Sequence, residues 1–438
     1  MNSLNIRHLQ RTATVAALVV FGMVAGLLVE ISIARSLAAS EPVQIYRLSF
    51  SLPLLLALTV SGALVNTALA ELSRARRISH IQFDATVRFV NRCLVIGACL
   101  VALAGVATVS IQQRALAPGL VDGAVAQFKL AATFGWLMFF LMASSNHIRA
   151  QVNLSGMIWL NPSVALQRNI GFLAVFLILF GFIEPDQILP ICALAASVAV
   201  ISVHIVAGRA CGATFGLGRF GGPTLERSHR LSILRALVIS LVFQLLATST
   251  TLADRAALSV WDVGHVPHLD YSVAVITGFG ALFANVTSII ILPMLLGGSE
   301  GSDPRQQRVR PYVITYCAVA LAVSIGLAAG RTPIIALLFE RGAFLASDTQ
   351  ATADFLYWHA SGLFFLILNS VYFVVTLARG NVVTLLPIAV LRWVVRITLL
   401  LLLPEDLPPA TRIGVAYLVT EATTLLLFQG LRQIAKPN

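Results

Sequence analysis

Apolar runs of helix-spanning length, separated by short polar breaks, follow one another along nearly the whole chain. A helix needs about 20 residues to cross the hydrocarbon of a bilayer. The runs predict twelve such helices, over residues 12–38, 44–70, 89–112, 124–148, 157–183, 186–208, 232–256, 268–297, 311–339, 352–378, 382–403 and 411–431. The last two are divided by Pro404-Glu405-Asp406-Leu407-Pro408-Pro409, a turn-rich break. The first run follows Arg7 and Arg11, as a signal sequence would, but it continues through Gly26 to Ile33 without a convincing cleavage site, so we read it as a retained span.

The polar breaks alternate in charge. The N-terminal tail, every second loop and the C-terminal tail hold eighteen basic residues, whereas the opposite set holds five: Arg47, Arg114, Arg255, Arg341 and Arg412. Basic loops stay on the cytoplasmic side, so this asymmetry predicts an even number of spans with both termini in the cytoplasm. The longest basic loop is rich in Gly and Arg and divides the chain into an N-terminal six-helix lobe (1–208), a cytoplasmic linker (209–230) and a C-terminal six-helix lobe (231–438). Val20-Phe21 with Ala25 in span 1 is echoed by Val242-Phe243 with Ala247 in span 7, consistent with the internal duplication common in transporters.

Composition sharpens this into a class. Of 438 residues 58% are hydrophobic and 11% charged, against about 25% charged in soluble domains. That excludes a soluble enzyme and a disordered chain. The net charge of +11 is explained by membrane orientation and not by nucleic acid. Five cysteines without CxxC or Cys/His spacing give no metal site and no disulfide framework. No phosphate-binding loop is present, so transport would follow a gradient or run downhill.

Charge inside a span is costly and needs a partner, a cavity or a route to the interface. Glu30 and Arg35 in span 1, and Asp254 and Arg255 in span 7, lie at equivalent places in a duplicated fold and are expected to face one another across a central polar cavity. Asn66, Gln244 and Asn285 either line the same space or form interhelical hydrogen bonds. Arg392 and Arg396 are four residues apart, hence on one face of span 11, where they either pair with Glu421 of span 12 or form a basic strip for an anionic substrate. Arg168 follows Asn161-Pro162, which brings it toward the cytoplasmic interface. Trp159, Trp261 and Trp358 read as interfacial anchors, and His265 with His268 lacks a third metal ligand.

Leu337-Leu338-Phe339-Glu340-Arg341-Gly342-Ala343-Phe344, followed by Ser347-Asp348-Thr349 and Ala351-Thr352-Ala353, resembles a signature of the MurJ/MviN lipid II flippases, within the multidrug/oligosaccharidyl-lipid/polysaccharide exporter superfamily. Gly26-Leu27 with Glu30, Ala39-Ser40, Pro53, Leu116-Ala117-Pro118-Gly119, Asp254-Arg255, Leu269-Asp270-Tyr271 and Leu292-Pro293 continue the resemblance in order along most of the chain. Val29, Ser51 and Ala274 stand where that family usually carries the arginines set against lipid pyrophosphate.

The resemblance implies an all-α, two-lobed transporter of the bacterial inner membrane. It would carry a polyprenyl-linked glycan lipid by alternating access, among membrane lipids and in association with glycosyltransferases. Arg35, Arg47 and Arg255 become the expected anion contacts. Glu30 and Asp254 would orient them, or respond to protons, sodium or the membrane potential; no cofactor is implied. Two other readings are a cation-coupled exporter of small molecules and a non-transporting scaffold for cell-envelope synthesis.

Overall fold

The computed structural model describes residues 3–157, 159–213, 225–287, 304–378 and 382–434. Among these, structure is almost wholly helical. In chain order the helices are α1 (Ser3–Leu37), α2 (Glu41–Ile78), α3 (His80–Ala107), α4 (Val109–Leu116), α5 (Asp122–Ser144), α6 (Asn146–Leu154), α7 (Leu160–Leu179), α8 (Pro185–Ala210), α9 (Arg227–Thr248), α10 (Thr250–Trp261), α11 (Val266–Val286), α12 (Pro304–Ala329), α13 (Arg331–Phe339), α14 (Ala346–Ala378), α15 (Val382–Leu402) and α16 (Pro409–Ile434).

Eight helices among the described residues are long and apolar enough to cross a membrane; a ninth span results if α12 and α13, which meet at 74°, count as one broken span. The sequence-predicted spans 44–70 and 232–256 fall on α2 and on α9–α10, which breaks at Ser249. Span 268–297 begins as α11 and continues outside the described residues. Large apolar side chains such as Phe21, Leu177, Phe182, Leu337 and Leu401 stand fully outward. Such surfaces suit hydrocarbon and would aggregate in water.

Local sequence sets several ends. Ser79 caps α3 by accepting from the Gln82 amide at 3.1 Å. Pro185 opens α8, where its missing N–H costs nothing. Proline also sits inside α2 (Pro53), α8 (Pro190) and α15 (Pro387).

The chain forms two compact units: Met1–Val29 with Glu41–Leu252, and Glu30–Ser40 with Ala253–Asn438. The first is organised around α2 and α5, which pack on α3, α8 and α9. Part of its core joins Ala68 and Leu72 of α2, Val87, Val90 and Leu94 of α3, and Ile233 and Leu237 of α9. In the second, α14 is central and packs on α11, α12, α13 and α16. The α14–α16 crossing is close because Gly414 lies under the Trp358 ring and Gly362 under the Tyr417 ring, leaving no room for a Cβ at either.

Candidate functional site

The second unit contains a network of charged side chains on four helices, joined by an amide from a fifth. Asp254 and Arg255 are neighbours on α10, so their side chains leave the helix about 100° apart and meet different partners. Arg396 of α15 makes a two-pronged ion pair with Asp254, Nε to Oδ1 at 2.8 Å and Nη2 to Oδ2 at 2.7 Å. Arg255 donates from Nε and Nη2 to Oδ1 of Asp270 on α11, at 3.0 and 2.8 Å. One turn from Arg396, Arg392 donates to Oε1 of Glu421 on α16. The other oxygen of Glu421 accepts from Asn369 of α14 at 2.9 Å.

The three pairs differ in access to solvent. In Arg396–Asp254 the side chains are 1% and 6% exposed. Arg255 and Arg392 are 19% and 20% exposed, while their acids, Asp270 and Glu421, are 4% and 1% exposed. Arg396 also lies over the Tyr417 ring, 5.4 Å from its centroid, a favourable position for a cation. Tyr417 in turn packs against His359 of α14, whose Nδ1 donates to the Phe355 carbonyl. Three arginines thus balance three carboxylates. Removing one partner of a buried pair typically costs about 3–5 kcal/mol, which makes Arg396–Asp254 a fixed structural tie. The partly exposed arginines, Arg255 and Arg392, are each held by a buried acid.

This pairing revises two expectations. Asp254 orients Arg396, not Arg255 or Arg35. Of the two α15 arginines only Arg392 pairs with Glu421. Asp270, Asn369 and Tyr417 complete the network; the first was visible in the sequence as an acid in Leu269-Asp270-Tyr271, and the others carried no charge signal.

The signature segment lies in the same unit and grips residues 35–40. Phe339 and Phe344 are buried with Tyr271, ring centroids 5.3–5.9 Å apart. Gly342 has φ +64 and sits against the Arg35 carbonyl, so an added Cβ would collide with backbone. The Ala343 amide donates to that carbonyl at 2.8 Å. Ala38, at the α1–α2 corner, has φ +49, strained for a residue with a Cβ, and Tyr271 donates to its carbonyl at 2.7 Å. Glu340 accepts from Thr349, and Asp348 accepts from the Leu345 amide at the start of α14. The segment is therefore a clamp on the α1–α2 corner.

Glu30 is half-buried and the Arg35 side chain is exposed. Arg47, in the first unit, is half-buried with its guanidinium 5.8 Å from the Tyr46 ring. The side chains of Asn66, Gln244 and Asn285 lie outside the described residues. Arg168 leans on Oδ1 of Asn169 at 3.3 Å, and Asn169 donates to the Gly22 carbonyl, tying α7 to α1. At the positions usually basic in the resembling family, Val29 is buried, Ser51 donates to its own helix at Leu48, and Ala274 is half-buried. Trp261 lies under the Arg412 guanidinium, 3.5 Å from its ring centroid. Among the described residues no three His, Cys, Asp or Glu side chains are grouped as metal ligands.

Arg149, which follows the predicted span 124–148 and is one of the eighteen basic residues counted to the cytoplasmic side, is 7% exposed within the first unit. The helix resumes after Ser145 as α6, and this places Arg149 in the bundle, where Nε donates to Asn161 Oδ1 at 2.9 Å and Nη1 to Asn146 Oδ1 at 2.8 Å.

A family model described as lipid II flippase MurJ matches residues 33–436. No curated protein matches the sequence. Among solved structures, a lipid II flippase MurJ in an inward closed conformation is similar at TM-score 0.81 and 16% identity, over 96% of this chain and 87% of that one. An inward-facing multidrug resistance MATE family transporter of the MOP superfamily follows at TM-score 0.65 and 14% identity, over 96% of each chain. A MATE transporter from Vibrio cholerae is similar at TM-score 0.57 and 16% identity, over 97% of this chain and 98% of that one. At such identities the structural likeness is one of fold.

Proposed function

Because the chain belongs to the lipid II flippase MurJ family, we propose that this multi-pass membrane protein flips an isoprenoid-pyrophosphate-linked saccharide precursor, lipid II or an exopolysaccharide unit, across the bacterial inner membrane. Both termini lie in the cytoplasm, and residues 1–208 and 231–438 are duplicated six-helix halves that rock in alternating access. The observation that carries the reading is the pair of partly exposed arginines, Arg255 and Arg392, each backed by a buried carboxylate.

A diphosphate needs forked donors fixed in advance, and arginine's planar fork supplies them. Asp270 and Glu421 hold the two guanidiniums and leave each partly exposed. Arg35 and Arg47 add positive charge, and Glu30 shapes the field beside Arg35. With Val29, Ser51 and Ala274 uncharged, recognition shifts toward Arg255 and Arg392. Asp254 is committed to Arg396, so of the two acids first considered for ion coupling Glu30 is the better candidate. The glycosyltransferases that assemble the glycan are the expected protein partners, tested by co-purification.

The test is a flippase assay with a tagged lipid-linked precursor. Alanine at both Arg35 and Arg255 abolishes transport; wild-type rates in that variant reject the assignment. The full-length match to MATE transporters favours a second reading, cation-coupled export of small molecules. A drug-resistance phenotype on expression, without precursor transport, would select it.

A further inference from the structure

Arg149 carries a charge that no described residue cancels. It is more than nine-tenths buried, and its described hydrogen bonds go to two neutral amides, Asn161 and Asn146. No carboxylate lies within ion-pair distance of it among the described residues. Glu71, on the neighbouring α2, pairs through Oε1 with Arg74 at 2.9 Å, and its Oε2 is buried without a hydrogen-bond partner. A buried guanidinium ordinarily faces an anion. Both amides here turn their oxygens to the arginine, at Nε and Nη1, which fixes its plane.

Two further polar groups in the cluster are unpartnered and fully buried. Asn146 is 0% exposed, and its Nδ2 donor has no partner. His204 of α8 is 0% exposed, lies within electrostatic range of Arg149, and has no partner at Nε2. The histidine's tautomer follows from its neighbour. Ser145 Oγ donates to the Met142 carbonyl at 2.8 Å, so at 3.3 Å from His204 Nδ1 it accepts. Nδ1 therefore carries the proton, and neutral Nε2 is an acceptor. The cluster offers a cation, a neutral donor and an acceptor.

We propose that Arg149, Asn146 and His204 form a binding site for a phosphate group that retains a proton, either free phosphate or a phosphomonoester headgroup. The guanidinium and Asn146 Nδ2 hold the unprotonated oxygens, and the P–OH donates to His204 Nε2. Sulfate and phosphodiesters carry the negative charge but lack that proton, so the site discriminates against them. The inference is independent of the transport reading, since it concerns binding within the first unit.

The test uses the full chain, purified in detergent and stripped of lipid. Its unfolding midpoint is followed against sodium phosphate, and against sodium sulfate at equal ionic strength, at neutral pH. Phosphate raises the midpoint as a ligand of the folded state does, and sulfate does not. In Arg149→Gln the apparent affinity falls about tenfold or more, the loss expected of a charge-assisted fork. Should that variant fail to fold, Asn161→Ala, which frees the guanidinium but keeps its charge, shows a weaker response of the same sign. A parallel arm applies native mass spectrometry after incubation with vesicles of phosphatidylcholine containing either phosphatidic acid, a monoester, or phosphatidylglycerol, a diester. Response to inorganic phosphate assigns the free anion. Retention of phosphatidic acid by wild type but not by Arg149→Gln assigns the headgroup. Equal response to sulfate, equal retention of both lipids, or no response in either arm overturns the proposal.

Discussion

Two buried arginines, one in each unit, are treated differently. In the second unit Arg396 is 1% exposed and meets both oxygens of Asp254. In the first, Arg149 is 7% exposed and meets the amide oxygens of Asn146 and Asn161. A carboxylate cancels charge as well as satisfying donors; an amide does only the second. The first arrangement is complete in itself and serves the fold, while the second leaves a field to be used by something else. A buried basic residue is thus classified by what its partners leave uncancelled.

The comparison is broken most severely by removing one member of the closed pair. Arg396→Met leaves Asp254 buried and unpaired and lowers stability by about 3–5 kcal/mol. Adding Asp254→Leu in the same chain restores most of that loss, because well-packed apolar residues replace buried pairs at little cost. Unfolding midpoints of the wild type, both single variants and the double variant form the cycle, and additive losses would contradict a direct pair.

Backbone strain gives the next effect. Gly342→Ala places a Cβ against the Arg35 carbonyl in a left-handed conformation and lowers stability by about 1–3 kcal/mol. Limited proteolysis at the α1–α2 corner should rise with it, since the same contacts hold the strained turn at Ala38. Unchanged cleavage there would separate the signature segment from the corner it touches.

Between structure and transport lies Arg255→Lys. It keeps the charge but loses the fork that meets Asp270. Stability changes by about 1 kcal/mol or less, as expected for a partly exposed pair, while flipping of a tagged precursor falls about tenfold. A variant with unimpaired transport would move the anion contact away from Arg255 and leave Arg392 to be tested alone.

The fold was legible because bilayer thickness imposes a run length on the sequence and topogenesis imposes a charge bias on its loops. Most of the charged site was legible for a related reason: an ionised residue inside an apolar run is conspicuous. Partner choice was not. Asp254 and Arg255 adjoin in sequence, yet helix geometry sends them to α15 and α11, and only the crossing of helices decides which arginine each acid meets. The helical continuation through Arg149 was not legible, because the predicted span ends at 148, where polarity suggests a loop; α6 continues instead with hydrogen-bonded Asn and Gln side chains that hydropathy counts as water-facing.

The smallest expected change carries the comparison furthest. Arg149→Met in protein stripped of phosphate and lipid forfeits two hydrogen bonds, to Asn161 and Asn146, each worth about 0.5–1.5 kcal/mol and more when one partner is charged. It also removes a charge that no described residue cancels, and burial of that charge opposed folding from the start. The two terms have opposite sign, so the net change should lie within about 1 kcal/mol of zero, far below that of Arg396→Met. The gap between the two variants should then narrow when phosphate is added, because only the wild-type Arg149 chain gains from it. A loss at Arg149 as large as that at Arg396, in ligand-free protein, would mean that a counter-charge already resides beside it, and these two arginines would then be buried by the same means.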